Sequence, residues 1–137
     1  MKTRISLALI GLLAVCGTCL AMISTRNVTK SEAKELGLEL RAKPNGPNEA
    51  WIELEFKPEG KLAGFSHVNL EIRDGENFQL GWTPLKDERT SSGNVLVRLM
   101  GNRAFLENVT LRIVRGATGE VGDDVRISDF VDLKELR

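Results

Sequence analysis

Apolar and polar residues alternate with a period of two along most of this chain, the signature of strands with one buried and one solvated face. Leu36, Leu38, Leu40 and Ala42 alternate with Gly37, Glu39, Arg41 and Lys43 until Pro44-Asn45-Gly46-Pro47 stops the run. Ile52, Leu54 and Phe56 alternate with Trp51, Glu53, Glu55 and Lys57, and Pro58-Glu59-Gly60 ends them. Val68, Leu70 and Ile72 form a third run, and Asp74-Gly75 joins it to Phe78, Leu80 and Trp82 in a hairpin pattern. Pro84 limits how far the fourth strand can pair centrally. Residues 87–94 read as a loop, and Val95, Val97 and Leu99 form a fifth run. Phe105 and Leu106, in the connection 101–107, are expected to pack inward. Val109, Leu111 and Ile113 form the sixth run. Residues 115–124, with Gly116, Gly119 and Gly122, read as a flexible loop before a seventh strand at Val125 and Ile127.

Seven short alternating strands between turn signals predict an all-β fold. The expected architecture is an antiparallel two-sheet sandwich of about seven strands, immunoglobulin-like in general form. A small β-barrel, which has the same alternation, is the alternative. In the immunoglobulin-like order, runs two and five share one sheet, while runs three, six and seven share the other.

The first residues break this pattern. Met1–Arg4 is basic, Ile5–Val15 is uncharged and apolar, and Cys16–Ala21 is mostly small. That layout predicts a secretory signal peptide cut after Ala21. Two alternatives stay open. Leu13-Ala14-Val15-Cys16, or the stretch ending at Cys19, could carry a lipid. The 19 uncharged residues from Ile5 to Ile23 could remain as an anchor helix, the only membrane contact expected. All three routes place the rest of the chain outside the cytoplasmic membrane, secreted or periplasmic. The expected plan is a signal or anchor over residues 1–21, a polar spacer over 22–35, a β domain over 36–133 and a tail over 134–137. Within the spacer, Thr29-x-x-Glu32 fits a capping box for one helical turn.

Composition narrows the functions. The 137 residues hold 19 basic and 19 acidic side chains, which gives no reason to expect nucleic acid as a partner. Cleavage after Ala21 removes Lys2, Arg4 and both cysteines, leaving 116 residues with 17 basic and 19 acidic side chains and a net charge of −2. Such a chain has no thiol for a disulfide, a zinc site or a nucleophile. Aromatics are 5%, Tyr is absent and His67 is the single histidine. No catalytic, cofactor or metal residue is assigned, and a non-enzymatic domain is expected.

A few residues still deserve weighing. His67 could serve as a general base, but Gly-x-Ser-x-Gly is absent and Ser66, next to it, should point to the opposite strand face. Asp123, Asp124, Asp129 and Asp132 could hold calcium, although they lack the spacing of a calcium loop. Arg98, Arg112 and Arg126 alternate outward and could grip an acidic glycan. The competing reading is an ion ladder that pairs Glu53 and Glu55 with Arg98, and Glu71 with Arg112 and Arg126. Trp51 faces away from Ile52, Leu54 and Phe56 and could stack on a sugar or a protein partner. Asn27-Val28-Thr29 and Asn108-Val109-Thr110 match the glycosylation acceptor.

Three stretches, Trp51–Gly60, Phe65–Arg73 and Arg126–Leu133, resemble small exported bacterial proteins known mainly from planctomycete genomes. That resemblance implies export and a β domain. The group is uncharacterised, so it brings no catalytic residue and no activity. The expected role is structural or binding, in the periplasm or cell envelope, with an envelope protein or glycan as partner. The alternatives are a calcium- or glycan-binding adhesion module and a hydrolase using His67.

Overall fold

A computed structural model describes residues 24–74, 78–117, 119 and 121–137, without the side chains of 73–82. Cys16, Cys19 and Ala21 therefore lie outside the described residues. The described part is mostly β. In chain order it runs β1 (Ser24–Asn27), α1 (Lys30–Leu36), β2 (Glu39–Asn45), β3 (Glu49–Phe56), β4 (Phe65–Asp74) and β5 (Phe78–Leu85). It continues with β6 (Asp87–Arg89), β7 (Val95–Asn102), α2 (Arg103–Leu106), β8 (Val109–Arg115), β9 (Val121–Arg126) and α3 (Ile127–Phe130). One sheet has the order β1-β9-β8-β4-β5, the other β2-β3-β7-β6. All neighbours are antiparallel except β1 and β9.

The alternation read from sequence makes the core. Ile52, Leu54, Phe56, Val95 and Val97 from the four-stranded sheet meet Val68, Leu111, Ile113 and Val125 from the five-stranded sheet in one buried cluster. Phe56 and Phe65 meet edge to face, centroids 5.2 Å apart. Runs two and five do pair as β3 and β7, and runs three, six and seven as β4, β8 and β9. Pro44 and Pro84 sit on the edge strands β2 and β5, where a missing N–H breaks no ladder.

Several expectations need correction. The spacer over 22–35 belongs to the fold from Ser24 onward. β1 pairs with β9, Val28 donates its N–H to Asp124 O at 2.8 Å, and Val28 and Ala33 are buried in the core. Thr29 does cap a helix: its Oγ1 accepts from Glu32 N, and Glu32 accepts from Thr29 N at 2.8 Å. Gly37, at φ 65°, then turns the chain out of α1 into β2. The loop over 87–94 contains the short strand β6. The stretch 115–124 ends in strand β9, while Ile127 starts a helical turn. Leu106 is buried as expected, but Phe105 is exposed. The C-terminal tail is also tied down, because Arg103 donates to Leu136 O at 2.8 Å and to Gly46 O at 3.2 Å.

Candidate functional site

The outer face of the four-stranded sheet is built in rows, read directly from strand register. One row is Asn45, Glu49 and Asn102. The next is Lys43, Trp51 and Met100, then Arg41, Glu53 and Arg98, then Glu39, Glu55 and Leu96. The last two rows carry an ion ladder. Arg41 meets Glu55 at 2.9 Å and Glu53 at 3.3 Å, and Arg98 meets Glu53 at 3.4 Å and Glu88 at 3.1 Å. Asn94 donates to the other oxygen of Glu55 at 2.8 Å. The hydrogen bond from Asn94, then that from Arg41, holds the Glu55 carboxyl below the usual glutamate range. Arg41 is raised above its ordinary value, chiefly by its bond to Glu55.

The Trp51 row is different. Trp51 is 41% and Met100 48% exposed, side by side on neighbouring strands. Lys43 stands on the other side of Trp51, with Nζ 4.0 Å from Glu53. Asn45, one row away, donates to Glu49 and to Met100 Sδ, both at 3.0 Å. Sequence alternation found Trp51. It missed Met100, whose role depends on a cross-strand neighbour 49 positions away.

The three arginines do not converge. Arg98 lies on the four-stranded sheet, while Arg112 and Arg126 belong to the other. Arg126 is exposed and stands across from Thr110, not Glu71. Arg112, expected on a solvated face, is buried at 4% exposure. Its Nε and Nη2 donate to the two oxygens of Asp124 at 2.5 and 2.8 Å, and Nη2 lies 2.9 Å from Glu71. Its aliphatic stem runs over Gly122, where a Cβ would stand 2.8 Å from Arg112 Cδ. The Glu71–Arg112 pairing of the ladder is therefore real, but it lies out of water.

The aspartates also separate. Asp123 shares the core face with Ile113 and Val125 and is fully buried, while Asp124 faces the other way with Arg112. Asp123 accepts from Arg115 Nε at 2.6 Å and from Arg26 Nε at 2.5 Å. That bond to Asp123 raises Arg26 above its ordinary value. Asp129 and Asp132 are exposed. Among the described residues no group of three or more His, Cys, Asp or Glu could hold a metal ion.

His67 departs from the sequence reading in one respect. A bulge between Phe65 and His67 interrupts the alternation, and Ser66 Oγ lies 2.9 Å from His67 Nδ1. A second bulge, at Ile72 and Arg73, sets Trp82 across from Glu71 but Phe78 across from Asp74. Phe78 and Trp82 therefore do not keep one uninterrupted alternation. Surface depressions of about 330 Å³ and about 450 Å³ lie elsewhere, the first lined by Lys30, Glu107 and Lys134, the second by Glu35, Lys57 and Lys61. Among the described residues no helix is long and apolar enough to cross a membrane. No known protein family, curated protein or solved structure matches the chain.

Proposed function

We propose that this chain is an exported, non-enzymatic binding domain of the bacterial periplasm or cell envelope, built as an immunoglobulin-like sandwich. The strand orders β2-β3-β7-β6 and β9-β8-β4-β5 support the architecture, since they follow the A-B-E-D and G-F-C-C′ orders of that fold. The observation that carries the binding role is the exposed Trp51–Met100 pair on the outer face of the four-stranded sheet. Its neighbours Arg41, Glu53 and Arg98 are engaged with one another, so the pair is the part of the face left for a partner.

The basic, apolar and small-residue stretches of Met1–Ala21 support export. The mass of the chain recovered from the host envelope reads the N-terminus: loss of residues 1–21 is expected, and an intact or lipid-bearing chain replaces that part of the reading. Sedimentation with isolated envelopes tests the role. Wild type is expected in the pellet and Trp51→Ala in the supernatant, whereas equal partition of both removes Trp51 as the contact. A second reading, hydrolysis, has one observation in its favour, the Ser66–His67 hydrogen bond. Ester hydrolysis lost on Ser66→Ala would replace the binding role.

A further inference from the structure

We propose that the row Lys43–Trp51–Met100 is a binding strip for a neutral, hydroxyl-rich polysaccharide chain, a statement that rests on the binding reading above and names its partner. Three features of the face lead there.

The first is shape. β6 pairs with β7 only from Val95 to Val97, so at Met100 β7 is itself an edge. β2 is the edge on the other side. The strip therefore crosses three strands, about 10 Å at ordinary strand spacing, and among the described residues it ends on an unpaired strand edge at either side. An open strip accepts the middle of a polymer, whereas a small molecule needs a concave pocket.

The second is charge. Arg41, Lys43 and Arg98 each have a carboxylate within 4.0 Å on this face. A polyanion would have to displace those carboxylates, and a polycation would have to displace Arg41 and Arg98 from Glu53 and Glu55. A partner without charge meets neither obstacle. It finds an exposed indole whose negative π face attracts the slightly positive C–H hydrogens of a sugar ring. The polar row of Asn45, Glu49 and Asn102 flanks it on one side and that of Arg41, Glu53 and Arg98 on the other.

The third is size. At 41% and 48% exposure, Trp51 and Met100 offer about 200 Å² of apolar surface. A stable protein interface needs about 800 Å² per partner with an apolar centre. A second copy of this chain or another protein would have to take most of its area from the polar rows around the pair, while one stacked sugar unit fits the pair itself.

Affinity electrophoresis of the exported chain tests this, with gels carrying a soluble β-glucan, a galactomannan or, as the acidic comparison, alginate. At least one neutral gel is expected to retard wild type, and Trp51→Ala is expected to bind about tenfold or more weakly, as on loss of an aromatic anchor. Trp51→Phe, which keeps a ring, should recover part of the retardation. Arg126→Ala, on the other sheet, should match wild type. Both tryptophan variants should keep the wild-type urea midpoint, because Trp51 is not in the core. Absence of retardation in every neutral gel overturns the proposal, as does retardation by alginate alone or retardation unchanged in Trp51→Ala. Concentration-dependent dimers abolished by Trp51→Ala also overturn it in favour of a second copy. Envelope sedimentation that needs Trp51, with no retardation in either neutral gel, removes the polysaccharide and leaves the binding role standing.

Discussion

Arg98 and Arg112 read alike in sequence, each an outward arginine between apolar neighbours, yet they do different work. Arg98 is exposed and shares Glu53 with Arg41 and Lys43. Arg112 is buried against Glu71 and Asp124. Taking one member from a buried charge cluster strands the others away from water, whereas exposed partners are re-solvated. Arg112→Ala is accordingly expected to destabilise the domain by about 3–5 kcal/mol, and Glu53→Ala by about 1 kcal/mol or less. Equilibrium urea unfolding measures both, and equal effects would contradict the distinction. Gly122→Ala belongs with Arg112, because the new methyl presses on a guanidinium stem that two carboxylates hold in place. Overpacking of this kind costs about 1–3 kcal/mol. Alternation of polar and apolar residues tells which way a side chain points, but not whether the space it enters is wet. Arg112 was therefore legible as outward and illegible as buried.

At the scale of elements, the seven alternating runs correspond to seven strands, and the misreadings fall where local pattern is weak. β1 has four residues, all exposed, and no alternation of burial. Its pairing partner, β9, begins at Val121, so proximity in the chain offers no hint. α1 was foreshadowed by Thr29 and Glu32, whose reciprocal bonds are local and can be read from spacing. Thr29→Ala should remove that cap and lower stability by about 1 kcal/mol, seen as a lower urea midpoint with the slope unchanged. An unchanged midpoint would mean that the core contacts of Val28 and Ala33 hold the segment without the cap. The Gly-rich stretch before Val125 misled for a related reason. Glycine usually marks a loop, but Gly122 serves in β9 as the bare patch of backbone over which Arg112 passes.

For the molecule as a whole, two carboxyls, Glu55 on β3 and Glu32 on α1, contribute to the response to acid. Glu55 and Glu32 are both held below the ordinary glutamate range in the fold. A carboxyl lowered on folding contributes stability that is present above its unfolded value and is lost as pH falls through the folded one. The urea midpoint is thus expected to fall as pH drops below the ordinary glutamate range, and less steeply in Glu55→Gln. A series of midpoints across that range checks it, and identical slopes for the two chains would remove Glu55 from the account. Arg26 and Arg41 move the opposite way, so their contribution fades only in strong alkali.

Period-two alternation is a local property, and local sequence carried it: strands, their buried faces, the turns between them and the outward placing of Trp51 follow from neighbours a few residues apart. Partner choice is not local. The sharing of Asp123 between Arg26 and Arg115 arises where distant segments meet across sheet register. So do the burial of Arg112 over Gly122 and the meeting of Trp51 with Met100. Register depends on the packing of the whole core, which fixes which residues face one another once the strands are assembled.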